Sequence, residues 1–426
     1  MTKNKNSNKK EKDNDYNIAK DNKNSVEKIL KTFKENLHGV RFYFNKFGVL
    51  AEGEDDDAQK SAEEFSRDFF EILDNIEEPI KNTKSDQSDE KPIKISDDKI
   101  KKLVEMMRKR PKLSVQNFEI LSSSSFLMLN NYFEYLIADL LTYHYTKFKN
   151  TLNSKEFKIS LKEIDEYDSI ADLEKHLIFR EVETMLIEMP FDSLLKHFEK
   201  KLNISLSNEI VDWKIINECR ERRHIIVHNA SKVNKKYILR TNNPDGKKIG
   251  DKIIVDRKYF ESVFSEIRLA GLLLSYECWG NWDNNKTLKA IKSMLDESFD
   301  SLSQNEIMFC YKLSQYIGKI EPRNDEQEDA LLRAKFNMCI SLKMQNKTTE
   351  LNKVLKTIKV GTCTPLFKLA HAILSNKNDS IIIEFAEDSL KLEEIDFEDY
   401  KSWPLFQFTR SEKVLNEQME QIFNPE

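Results

Sequence analysis

The chain has 426 residues, a formal net charge of −5, 39% hydrophobic and 33% charged residues, and only nine glycines and nine prolines. So few breakers, over a length that supports roughly two or three domains, exclude a turn-rich sheet protein and point to helices with short connections. The negative balance excludes a surface that is basic throughout, so a nucleic-acid contact is confined to a local patch.

In chain order, residues 1–24 (beginning MTKNKNSNKKEKDNDYN) are polar, lack the apolar core of a signal peptide, and read as a disordered tail. Residues 25–48 predict an amphipathic helix, EGEDDD an acidic loop, and residues 58–77 a second helix with apolar positions at Phe65, Phe69, Ile72 and Ile76. Residues 78–96, with Pro79 and Pro92, read as a linker. Residues 114–149 predict a long helix, apolar on most sides and so buried. Further amphipathic helices are expected within 161–200. Asp212 is the expected N-cap of a helix running to His228, with Asn229 as its left-handed stop. The Asn-Pro-Asp-Gly turn inside residues 237–255 predicts a small β-hairpin, and 256–280 return to helix. Helices over 286–298, 304–319, 326–344, 347–358, 364–375 and 379–391, and a last one near 410–422, give the far end the pattern of stacked helical hairpins. A plain helical bundle fits that end equally well.

Charge is uneven. Residues 51–90 carry 15 Asp and Glu against 4 Lys and Arg, whereas residues 213–240 carry 8 Lys and Arg against 2 Asp and Glu. Cys219, Cys278, Cys310, Cys339 and Cys363 have no CxxC spacing and read as reduced thiols of a cytoplasmic protein. No run approaches the ~18 apolar residues of a membrane span.

The basic stretch contains Arg223-His224-Ile225-Ile226-Val227-His228-Asn229, an arginine and a histidine spaced R-x4-H. Histidine titrates near neutrality and suits proton transfer, and the guanidinium fork matches phosphate oxygens. Together they are the groups needed to cut RNA without metal, by attack of its own 2′-hydroxyl on the adjacent phosphate. On an ideal helix the two residues point ~140° apart, so helix fraying, the reach of arginine or a second copy of the chain has to bring them together. Arg222 and Arg223 flank an apolar stripe centred on Cys219, where an unpaired charge is costly, and this predicts a partner surface or a phosphate site. His224 and His228, at i and i+4, have metal-ligand spacing but no third ligand of the HExxH kind.

The segment from about 114 to 275 resembles the HEPN superfamily (higher eukaryotes and prokaryotes nucleotide-binding), RiboL-PSP-HEPN type. The resembling residues are Ser124 to Leu129, Tyr132-Phe133-Glu134, Asp139-Leu140-Leu141, the run IDEYDSI from Ile164, Arg180 to Glu183, and above all Glu221 to Asn229, followed by Lys232-Val233-Asn234 and Tyr237-Ile238. The resemblance implies a four- to five-helix up-and-down bundle that pairs with a second copy, so that two Arg/His motifs share one cleft. It implies metal-free RNA cleavage in a toxin or an antiphage effector, with no cofactor and no metal. Arg223 and His228 match the family's R-x4–6-H motif, His224 takes the polar position after the arginine, and Glu134 matches a helix-one acidic residue that orients the motif. A related toxin group carries a nucleotidylated tyrosine two residues after the histidine. Ala230 stands there in this chain, so that regulation is not implied.

The resulting expectation is an all-α protein with a disordered tail (1–24), an N-terminal helical segment and acidic linker (25–96), a HEPN bundle with a β-hairpin insertion (97–283) and a helical hairpin array (284–426). Arg223 and His228 are the expected catalytic pair, supported by His224, Asn229, Glu134 and Arg222. RNA, a second copy of the chain, and a protein regulator or trigger at the C-terminal helices are the expected partners, with no membrane. Two alternatives stay open: a non-catalytic module of the same build that binds RNA, a nucleotide or a protein, and an enzyme with zinc at His224 and His228.

Overall fold

The computed structural model describes residues 25–74, 97–108, 116–152, 155–283 and 287–424. The expected tail and most of the expected linker lie outside the described residues. Among the described residues the fold is all-α, with no strand and one isolated antiparallel bridge, Lys232 to Lys252. No described helix is long and apolar enough to cross a membrane.

The chain divides into two compact units that interleave in sequence. One comprises residues 1–34, 133–217 and 263–426, and the other residues 35–132 and 218–262. These units do not coincide with the linear segments 25–96, 97–283 and 284–426. In particular, the C-terminal helices share a unit with residues 133–217.

Helix α1 (Val26–Asp74) replaces the expected helix–loop–helix. Its buried residues Val26, Leu30, Phe33, Leu37, Val40 and Phe44 follow the alternating spacing of four and three that a helix with one apolar stripe requires. The helix continues through EGEDDD because nothing there stops it. Gly53 is the only breaker, and the segment is otherwise Ala, Glu, Asp, Gln and Lys, with Gln59 bonded to Glu63 one turn on at 2.8 Å. The acidic run also has a structural use. After α2 (Asp97–Arg108), helix α3 (Asn117–Lys147) begins against Asp55, whose carboxylate accepts the backbone N–H groups of Asn117 and Phe118, each at 2.9 Å. These donors have no partner within their own helix, so a side chain from another helix caps α3.

Short helix α4 (Leu161–Ile164), then α5 (Ile170–Glu188) and α6 (Phe191–Lys201), supply the helices expected within 161–200. Helix α7 (Trp213–His228) starts where Asp212 predicts, the Asp212 carboxylate accepting Lys214 N–H at 3.0 Å. Its end differs from expectation. The left-handed residues are Ala230 and Ser231, with φ of 48° and 60°, while Asn229 bonds through Nδ2 to the Lys232 carbonyl at 2.5 Å.

The expected hairpin over 237–255 is corrected by α8 (Lys235–Thr241). Asn234 caps it, accepting Tyr237 N–H at 2.9 Å, and Tyr237 is buried with Ile225, Val233 and Ile253. Burial of Tyr237 on a capped turn outweighs the β-propensity of Tyr-Ile-Leu. The turn itself is where the sequence places it, with Asn243 bonded on both sides to Lys247. Antiparallel pairing is present too, but between residues 231–233 and 250–253, which flank α8.

Helix α9 (Arg257–Trp282) follows. Within its unit the Gly271 position lies so close to the Phe33 ring that no side chain fits there. Beyond it come α10 (Thr287–Ser303), α11 (Ile307–Ile317), α12 (Asp325–Met344), α13 (Thr348–Leu355), α14 (Pro365–Leu374), α15 (Asp379–Lys391), α16 (Phe397–Ser402), α17 (Gln407–Arg410) and α18 (Lys413–Phe423). Sequence neighbours pack on one another around a core that includes Cys339, Ile340, Leu369, Ala386 and Met419. The Trp403–Phe406 segment is a packed junction, with Leu405 and Phe406 fully buried. Cys219, Cys278, Cys310 and Cys339 are buried free thiols and Cys363 is half-buried.

Candidate functional site

Residues 218–240 of the basic stretch belong to the unit made of residues 35–132 and 218–262. Along α7, successive residues have different surroundings, and this separates the two adjacent arginines.

Arg222 turns inward. Its Nε donates to Glu218 at 2.8 Å, Nη1 to the Ile254 carbonyl at 3.1 Å and Nη2 to Asp245 at 2.8 Å, and its guanidinium lies 3.6 Å from the centre of the Tyr259 ring. The Glu218 carboxylate also accepts the hydroxyls of Tyr237 and, at 2.5 Å, Tyr259. Burial alone would lower the Arg222 pKa, but Tyr259 and Glu218 hold it above its ordinary value. Burial and Glu218 push both tyrosines up, so their hydroxyls stay protonated as donors. This is a satisfied buried network in which Arg222 joins α7 to the 245–254 segment and α9. The expectation that Arg222 meets a partner surface or a phosphate is therefore corrected: its donors are taken up inside the unit. The pair of like-sized sequence signals hid this, although Glu218, four residues before Arg222, carried the clue.

Arg223 is half-buried and directed to α3, its Nη2 donating to Asn131 at 3.3 Å. The preceding residue on α3, Asn130, accepts the Cys219 thiol at 3.2 Å and donates to the Phe126 carbonyl at 2.8 Å. Two adjacent asparagines thus set the rotation of α7 against α3, a role that nothing in their sequence context announced. Glu134 lies three residues beyond Asn131 on α3, within the other unit, and is half-buried.

His224 and His228 are both exposed, with ring centroids 4.9 Å apart. Slight burial, then the charges of Lys236 and His228, hold the His224 imidazole below its usual pKa range. Lys236 and Arg240 come from α8, and Arg240 also pairs with Glu221 at 2.8 Å. Because residues 235–241 form a helix, α8 presents two cations one turn apart beside the histidines. Asn229, exposed, closes the end of α7 next to His228.

Two exposed imidazoles, one favoured in its neutral form, can accept and donate protons, and the surrounding cations favour a bound anion. Arg223 sits round the helix from His228, as the 3.6-residue period requires, and is anchored to α3. Among the described residues no three His, Cys, Asp or Glu side chains are grouped to hold a metal ion. Compared with models of known families, with curated proteins and with solved structures, the chain matches none.

Proposed function

We propose that the chain is a metal-independent endoribonuclease of HEPN type, serving as a toxin or antiphage effector in the cytoplasm. The observation that carries this reading is the exposed His224–His228 pair, 4.9 Å between rings, in a basic setting on the helix that holds Arg223.

In the proposed reaction the RNA 2′-hydroxyl attacks the adjacent phosphorus. The new bond is 2′-O–P, the bond broken is P–O5′, the 2′ proton passes to an imidazole, and a proton is delivered to the departing O5′. His228 is the general acid/base, and neutral His224 is the complementary proton acceptor. Arg223 stabilises the charge on the phosphorane oxygens, a contribution of the kind that preorganised cations make. Lys236 and Arg240 attract the strand electrostatically. The products are a 2′,3′-cyclic phosphate and a 5′-hydroxyl. A second copy of the chain, through the helices over 114–149 and 212–228, is proposed to complete the cleft, because Arg223 and His228 diverge on one helix. The C-terminal helices are proposed to receive a regulator or trigger.

The test is RNA cleavage by the purified chain in excess chelator, with product ends identified by phosphatase sensitivity and mass. Binding of RNA without cleavage, unchanged by His228→Ala, would favour the non-catalytic binding module instead.

A further inference from the structure

The C-terminal helices line an open cavity of ≈ 440 Å³, walled by α10, α12, α14 and α16. That is the size range, about 300–1,000 Å³, in which proteins bind small molecules and peptide side chains. All of its walls belong to one compact unit.

Its chemistry is not that of an ordinary gap between helices. Phe299, Phe367 and Trp403 line it, and so do the carboxylates of Asp296, Asp300, Glu394 and Asp399. Glu394 accepts the Leu366 N–H at 2.9 Å and Asp399 the Asp396 N–H at 3.1 Å, so both are partly engaged in capping. Asp296 and Asp300 differ. They stand one turn apart on α10, a like-charge spacing that destabilises a helix, and neither carboxylate makes an ion pair among the described residues. Glu297, between them, takes up the nearby cations instead: Arg268 at 2.9 Å, and Lys34. Burial, then the Glu297 and Asp296 charges, outweigh the nearby Lys34 and Arg268 charges and keep the Asp300 carboxyl above its usual range. The one cation in the wall, Arg333, is paired with Asp329 at 2.8 Å. The Trp403 ring lines the wall through its carbon atoms, its indole nitrogen being buried.

Aromatic walls and, on one helix face, two carboxylates outside any ion pair among the described residues together specify a ligand with a cationic, stacking head. We propose that this cavity binds an arginine-bearing peptide segment of a partner protein, the guanidinium held by Asp296 and Asp300 against the aromatic side chains. Arginine fits better than lysine, because its planar guanidinium both bridges carboxylates and stacks on rings. The site shares no residue with the α7 cluster and does not depend on RNA cleavage.

Fluorescence anisotropy with the full chain tests this. The probe is a short labelled peptide with one arginine among glycines and serines, and its counterpart carries citrulline, the same shape without the charge. The arginine peptide is expected to bind at least about tenfold more tightly than the citrulline peptide, the effect of losing one charge-assisted contact. Asp296→Asn and Asp300→Asn, both at exposed positions and checked for helicity, are each expected to weaken binding about tenfold. Glu384→Gln, an exposed carboxylate on α15 outside the cavity, leaves it unchanged. Equal binding of the two peptides, no binding, or indifference to both aspartate substitutions overturns the proposal.

Discussion

Arg222 and Glu218 form an ion pair at 2.8 Å, one helical turn apart, with both side chains at least nine-tenths buried. The next residue, Arg223, carries the same side chain and reaches instead to Asn131 on α3. A single step along α7 therefore separates a residue that holds the fold from one proposed to hold a phosphate.

This division makes the first prediction. Arg222→Ala leaves Glu218 buried without its counter-ion and is expected to cost about 3–5 kcal/mol in unfolding free energy. Arg223→Ala, at a half-buried residue, is expected to cost less, about 1 kcal/mol for the bond to Asn131, while lowering RNA cleavage about 10²–10³-fold. Urea unfolding and cleavage rates on both variants check it. Equal stability losses would contradict the assignment.

The second prediction is a pH profile. The His224 pKa is lowered by burial and the Lys236 and His228 charges, so the imidazole stays neutral to lower pH than an ordinary histidine. A proton acceptor works only when neutral. Cleavage is therefore expected to rise with pH through a midpoint below the ordinary ~6.5 of histidine. His224→Ala should remove that acidic limb. A rising limb that persists in His224→Ala assigns it to another group.

His144 carries the third. It is buried against Phe148 and Trp282, neither ring nitrogen has a hydrogen-bond partner among the described residues, and burial, then the His197 charge, lower its pKa to about 4. The folded state resists protonation while the unfolded chain protonates near 6.5. Below that value the unfolded state binds more protons, so stability is lost as pH falls from about 6.5 towards 4, by on the order of 2–3 kcal/mol. His144→Phe should abolish this loss and stabilise the fold at neutral pH. Thermal unfolding of both proteins between pH 4 and 8 decides it.

The fourth concerns the acidic stretch of α1. Asp55→Ala removes the cap on α3 and is expected to cost about 1–2 kcal/mol. Gly53→Ala, where an added Cβ meets nothing, is expected to stabilise α1 by about 0.5–1 kcal/mol. Opposite shifts in melting temperature from two substitutions two residues apart would not arise if this stretch were a loop.

These cases show what the sequence can and cannot carry. Helix positions were legible wherever a stripe of apolar residues met a short polar break, as at Asp212 before α7 and through the helices from α10 to α15. EGEDDD misled because its density of charge resembles a solvated loop, while its backbone has no reason to leave a helix. Its use as a cap depends on α3, more than 60 residues away in the chain. Tyr-Ile-Leu at 237–239 misled because β-propensity is local, and the contact that decides, Tyr237 to Glu218, is not. At the candidate site the histidine pair was visible as an i, i+4 spacing. The inward turn of Arg222 and the hold of Asn131 on Arg223 were not, since both depend on how α7 is rotated against its neighbours.

The most direct measurement is cleavage of a single-stranded RNA by the purified chain in excess chelator, set beside folded His228→Ala. Cleavage that leaves a cyclic phosphate and a 5′-hydroxyl, and that falls about 10²–10⁴-fold in the variant, is the predicted result. Undiminished cleavage by a folded His228→Ala protein would contradict the assignment of this site.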